Sequence, residues 1–193
     1  RITKQLKSPI ILFFLFCLFF SSNSISKKFV LDDLTNPGIT SQGQRWNFIT
    51  DGVMGGLSEG KATITSEENT PCYKMIGNVT TKNNGGFIQI RTSLFPYIEA
   101  KNFTGIYIRA RGNNKNYALH IRSSKSLGYW QYYSYSFFVE NKFVEIKIPF
   151  NDFQKSNFTQ PNKLSRQDIK TIGLVAGFND FYADICLSEI GFY

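Results

Sequence analysis

The 193-residue chain holds one histidine, three cysteines and two methionines, and that shortage narrows the chemistry it can perform. A metal centre needs several His, Cys or carboxylate ligands brought together, and the nearest approach in the sequence is the pair Asp32-Asp33. The lone His120 lies in the alternating run Tyr117 to Ile121, which reads as a strand position and not as a catalytic base. A Cys72–His120 couple has no third, orienting group to complete it. No glycine-rich loop ends in Lys-Ser or Lys-Thr, so a phosphate-binding loop is excluded. Dense basic runs are missing as well. Positive residues stand singly, apart from Lys27-Lys28 and Arg109-x-Arg111, so nucleic acid is not an expected partner. Long helical periodicity and internal repeats are also absent. These gaps predict a protein that is not an enzyme and that carries no cofactor and no metal.

What is present begins with a leader. Arg1, Lys4 and Lys7 precede the apolar run Ile10 to Phe20, and the small polar stretch Ser21 to Ser26 follows it. This is the layout of a secretory signal peptide, and the run is too short for the ~20 residues a membrane-spanning helix needs. Residues 1–26 are therefore read as a signal peptide, cleaved after Ser24 or Ser26. The expected location is extracytoplasmic, in a periplasm or secretory pathway, with membrane attachment only if the leader is retained. A mitochondrial matrix destination does not suit this composition. Phe16 precedes Cys17, so the small residue required before a lipidated cysteine is missing. Residues 27–193 number 193 − 26 = 167, enough for a single domain with a real core. Removing three cations from 22 leaves 19 against 14 acids, a net charge of +5. Two cysteines remain, Cys72 and Cys186. Alternation sets each out of phase with its core-facing neighbours, Tyr73 and Met75 for one and Ile185 and Leu187 for the other. An oxidising compartment allows them to pair, and a disulfide between them is expected. Asn78, Asn102 and Asn157 head Asn-x-Ser/Thr sequons.

The remainder breaks into short stretches of period-two alternation separated by Gly, Asn, Ser and Pro, the pattern of an all-β protein. Tyr73 to Val79 and Phe87 to Arg91 flank the turn Lys82-Asn83-Asn84-Gly85-Gly86, which reads as a hairpin-like return. Gly105 to Arg111 places Ile106, Ile108 and Ala110 on one face. Further strands follow around Tyr117 to Ile121, Tyr129 to Phe138, Phe143 to Pro149, Thr171 to Ala176 and Phe181 to Leu187, with Ile190 reached through a bulge. One helical turn is placed near Ser165 to Lys170, capped by Ser165. Eight to ten strands of this kind predict two antiparallel sheets packed face to face, a sandwich or jelly roll.

Two stretches stand out as candidate binding surfaces. In Trp46 to Ser58, W-N-F-I-T-D-G-V-M-G-G-L-S, the glycines permit positive φ and Asp51 favours a tight turn. Val53 and Met54 are expected to tie the loop to the core. The loop is either a structural corner or a rigid platform on which Asp51, Gly52, Gly55, Gly56 and Ser58 meet a ligand, joined by the turn Asn84, Gly85 and Gly86. In Tyr129 to Tyr135, five aromatic rings occur in seven residues without a charge, offering the flat apolar surface with polar handles that suits sugar rings and protein hot spots. Tyr129, Trp130 and Tyr133 are the candidates there. The competing reading is a strand with one face in the core.

The run W-x-x-x-x-D-G-V-M-G-G-L-S resembles the signature of the complex I intermediate-associated protein 30 family. Asn84-Gly85-Gly86-Phe87, Arg109-Ala110-Arg111-Gly112 and Ile148-Pro149-Phe150 with Phe153 are similar to later elements of that family, so the likeness extends from Trp46 to about Ile190. Thr50 stands where the family usually has Asn, and Gln154 to Asn157 replaces a stretch that often carries Pro and an Arg-Gly pair. The resemblance implies a jelly roll of the galactose-binding-like kind and, from the mitochondrial members, help in assembling respiratory complex I. Two function classes follow: a non-catalytic protein-binding or assembly module, which the resemblance favours, and an extracytoplasmic carbohydrate-binding module, suggested by the fold type and the aromatic strand.

Overall fold

The computed structural model describes residues 27–193; the leader read in the sequence lies outside them. Twelve strands form: β1 (Phe29–Asp32), β2 (Asn47–Thr50), β3 (Glu59–Glu67), β4 (Thr70–Val79), β5 (Phe87–Ile98), β6 (Gly105–Arg111), β7 (Lys115–Ser123), β8 (Tyr133–Val139), β9 (Val144–Pro149), β10 (Gln154–Lys155), β11 (Ile169–Gly177) and β12 (Phe181–Phe192). They make two six-stranded antiparallel sheets. The first runs β3-β4-β12-β6-β9, with β1 paired to the end of β12, and the second runs β10-β8-β7-β11-β5-β2. This is the antiparallel jelly roll that the alternation predicts.

The core lies between the sheets because each long strand turns its large aliphatic residues mainly to one face. Met75, Ile106, Ile108, Ile148, Ile185 and Leu187 from the first sheet meet Ile88, Ile90, Leu119, Ile121, Ile172 and Leu174 from the second. In β12 the phase changes at a register shift between Leu187 and Glu189. This bulge lets Leu187 and Ile190, an odd number of residues apart, both join the core.

Two local readings of the sequence are corrected by topology. The turn Lys82 to Gly86 does not close a hairpin: β4 pairs with β3 and β12 while β5 pairs with β11 and β2, so the turn carries the chain from one sheet to the other. Asn83 and Asn84 adopt left-handed backbone there, with φ of 57° and 56°, a conformation Asn tolerates because its side chain bonds locally. No helix forms at Ser165 to Lys170. The Ser165 hydroxyl instead donates to the Asp168 carboxylate at 3.0 Å, which ties off a bend before β11.

Cys72 on β4 and Cys186 on β12 are joined by a disulfide, with Cα atoms 5.4 Å apart. Cys186 lies opposite Lys74 on β4 and Arg111 on β6. The bond therefore sits on the outer face of the first sheet, yet both cysteines are fully buried. Lys74 and Arg111, the cations in that register, are both paired with Glu67.

Candidate functional site

The signature loop is built around a buried carboxylate. After β2, Asp51–Met54 makes one 3-10 turn, capped by the Thr50 hydroxyl, which accepts from the Gly52 amide at 3.1 Å. Thr50 thus supplies the cap through a side-chain oxygen. Asp51 is 0% exposed and accepts from the Ser58 amide (2.9 Å), the Ser58 hydroxyl (2.5 Å), the Gly86 amide (2.5 Å) and the Phe87 amide (3.3 Å). Burial alone would raise its carboxyl pKa, but these donors outweigh it and hold the group below the ordinary Asp range. The loop ends on Gly55 in the left-handed conformation, φ 83°. Gly56 and Gly85 are needed for another reason: a Cβ on either would collide with the Asp51 carboxylate.

This geometry corrects part of the sequence reading. The Asn84-Gly85-Gly86 turn does lie beside the signature loop, but Asp51, Ser58 and Gly86 are buried and face one another. They brace two loops and are not surface groups. Val53 and Met54 do not tie the loop to the core either. Val53 is 75% exposed, and Met54 and Leu57 are also exposed, so the brace holds an apolar knob in solvent. Gly52, Gly55 and Asn84 lie exposed beside it.

The aromatic stretch divides differently from the sequence reading. The strand begins only at Tyr133, so alternation does not govern Tyr129 to Tyr132, which belong to the loop after β7. Tyr133 is a core residue whose hydroxyl donates to the Pro161 carbonyl at 2.8 Å. Tyr129 and Trp130 are exposed and meet edge to face with centroids 5.1 Å apart.

Beside them lies a surface the sequence reading did not find, the outer face of the second sheet. Pairing places Asn47, Arg91, Gly173, His120 and Ser134 in one row across β2, β5, β11, β7 and β8. Gln89, Val175 and Ala118 form the next row. Tyr132 stacks on the His120 ring at 4.1 Å and 13°, and Phe178 flanks it at 5.8 Å. His120 is 8% exposed, and burial together with the nearby Arg122 guanidinium pushes its pKa down to about 3, so the imidazole is neutral. Arg122 donates to the Tyr129 carbonyl at 2.5 Å, which fastens the aromatic loop to β7. Gln89 Oε1, His120 Nε2 and Arg122 Nε are buried and have no hydrogen-bond partner among the described residues, an unusual concentration on one face. A cleft of about 290 Å³ opens there, lined by Arg91, Arg122, Tyr129, Lys170 and Thr171 among others.

The sequence model of the family described as complex I intermediate-associated protein 30 matches residues 35–187. This chain belongs to that family. No curated protein matches it by sequence. Among solved structures, the family 11 carbohydrate-binding module of a cellulosomal cellulase of Clostridium thermocellum superposes with a TM-score of 0.69 at 18% identity, covering 88% of this chain and 95% of the module. The same organism's family 11 module in complex with a β-1,3-1,4-mixed-linked tetrasaccharide gives 0.67 at 18%, covering 86% and 94%. An agarase gives 0.59 at 11%, covering 86% of this chain but 24% of the enzyme. At such identities the likeness shows the fold, a galactose-binding-like jelly roll.

Within the complex I intermediate-associated protein 30 domain, the sequence pointed to the two loops but not to Gln89, Arg91, His120, Arg122, Tyr132 and Phe178. One signal for them was present: polar residues sit at alternate positions of β5 and β7, strands apolar enough to be central. Their convergence depends on register between strands far apart in sequence, which alternation alone does not supply. Among the described residues no group of three or more His, Cys, Asp or Glu side chains is arranged to hold a metal ion.

Proposed function

We propose that this chain is a non-catalytic, extracytoplasmic binding module that holds a glycan on the outer face of its second sheet. The observation that carries this reading is the aromatic group Tyr129, Tyr132 and Phe178 beside the cleft of Arg91 and Arg122, over the buried polar side chains of Gln89 and His120. A sugar ring presents an apolar face for stacking and a rim of hydroxyls that donate and accept, so it suits aromatic rings set beside polar side chains. Gly173 in the central row makes room for the Gln89 side chain, whose Oε1 lies 2.9 Å from where a Cβ would stand. The galactose-binding-like fold shared with carbohydrate-binding modules supports the reading without deciding it. A glycan array probed with the protein tests it: binding that falls at least about tenfold in Tyr129→Ala and Tyr132→Ala supports the proposal. An array without a hit rejects it.

A second reading rests on a separate observation. The Asp51 brace holds Val53, Met54 and Leu57 exposed on a fixed turn, and rigid apolar side chains of this kind suit a protein partner. The family match is compatible with an assembly role. Cross-linking from a photoreactive residue at position 53 in the native host distinguishes it, since a glycan-only module yields no discrete protein adduct there.

A further inference from the structure

The charge around the proposed glycan site is one-sided. Arg91, Arg122 and Lys170 line the cleft beside the outer face. A second cleft of about 470 Å³ carries Lys101, Lys125, Lys163 and Arg166, together with Gln131 and Gln160. The two share Ser123, Ser126 and Leu127 as a common wall, so they lie on either side of the loop that bears Tyr129 and Trp130. No Asp or Glu lines either cleft. Of the seven cations, Lys101 alone is in an ion pair among the described residues, with Glu99 at 2.6 Å. Asp168 lies close by, but its carboxylate accepts from the Ser124 and Ser165 hydroxyls.

The first sheet is the opposite case. Its Lys28, Lys74 and Arg111 are each matched to carboxylates: Glu145 and Glu189, Glu67 and Asp184, Glu67 and Glu68. Cations in ion pairs therefore gather on the first sheet, where among the described residues Lys61 and Arg109 are without one, and unpaired cations gather at the two clefts. At the smaller cleft, burial and the Arg91 charge both work against the Arg122 guanidinium. Two guanidinium groups held near one another without a carboxylate are an unfavourable arrangement until an anion joins them, and a guanidinium fork matches a carboxylate or sulfate through two parallel hydrogen bonds.

We infer that the glycan taken by this face is acidic, an oligosaccharide bearing carboxylate or sulfate groups that Arg91 and Arg122 engage while the sugar rings lie against Tyr129 and Tyr132. This rests on the glycan reading above and narrows it to a ligand class. Lys170 and the cations of the larger cleft extend the same field along a chain of more than one residue.

Titration calorimetry on the full protein with three probes tests it: a galacturonate oligosaccharide, a sulfated galactan oligosaccharide and a neutral mixed-linked glucan tetrasaccharide. One acidic probe is expected to bind at least about tenfold tighter than the neutral one and to weaken with added salt. Which acidic probe binds assigns carboxylate or sulfate. Arg91→Gln with Arg122→Gln is expected to remove that preference, with Arg91→Lys with Arg122→Lys intermediate because charge remains while the fork is lost. The melting temperature of each variant shows that it folds. Lys61→Gln on the exposed face of β3 controls for general attraction and is expected to have no effect. Equal or tighter binding of the neutral probe overturns the acidic assignment and leaves the glycan module standing. Acidic binding that falls as much in Lys61→Gln as in the arginine pair also overturns it. Failure of all three probes overturns the assignment together with the reading beneath it.

Discussion

At the scale of single residues, two buried ionisable groups act in different ways. Asp51 accepts four hydrogen bonds, all from donors. An amide in its place must turn an N–H₂ group toward at least one backbone N–H. Asp51→Asn is therefore expected to cost about 2–3 kcal/mol in denaturant unfolding, although the two side chains have nearly the same shape. Because the folded pKa lies below the unfolded value near 3.8, the stabilisation is complete above that value and is lost as pH falls through the folded pKa. Parent and variant melting curves should begin to approach each other below about pH 4 and meet only below the folded pKa. His120 differs: Arg122 on its own strand, Arg91 on β5 and the Tyr132 ring surround it, and the folded form stays neutral down to about pH 3. The unfolded chain takes up a proton near pH 6.5, so stability should decline progressively from about pH 6.5 toward pH 3. In His120→Gln the melting temperature between pH 7.5 and 4.5 should fall less steeply than in the parent. An equal slope would place the titrating group elsewhere.

The elements show where sequence was informative. Strand alternation located the sheets because each strand buries one face, and the bulge before Ile190 was legible because Leu187 and Ile190 cannot both point inward on a regular strand. The aromatic stretch was legible only in composition. Nothing in Tyr129 to Tyr135 says that the strand starts at Tyr133, since that boundary is set by its pairing with Ile121 on β7. Two substitutions separate the halves of the stretch. Tyr133→Phe removes a buried hydroxyl that donates to Pro161 and should cost about 1 kcal/mol with ligand binding unchanged. Tyr129→Ala should leave the melting temperature within about a degree and weaken glycan binding. The signature loop was read correctly as shaped, but its polarity was inverted: the polar groups point inward and the apolar ones outward. That inversion follows from a partner distant in sequence, the Gly86 amide, which draws the carboxylate under the loop. Replacing Val53 and Met54 by Ser should change stability by less than about 0.5 kcal/mol, whereas Gly85→Val should unfold the brace. Thermal melts of the two variants side by side check both.

For the whole molecule, the jelly roll was legible because eight to ten short alternating stretches without helical periodicity leave few architectures, and the family signature covers nearly the same span. The outer face of the second sheet was not, because it is assembled from five strands spread over residues 47–177, with strands of the other sheet between them. The leader reading carries its own test. Mass spectrometry of the protein from its host should find no peptide from Ile10 to Phe20, and finding one would show a retained anchor. The Cys72–Cys186 bond links neighbouring strands across a sequence separation of 114 residues while remaining wholly buried. A soluble reductant cannot attack sulfur it cannot touch, so reduction must wait for β3 to peel from β4 or for the whole sheet to open. Thiol release in excess reductant would then follow the opening equilibrium of that edge, and the bond would serve as an internal clock for how often the sandwich comes apart.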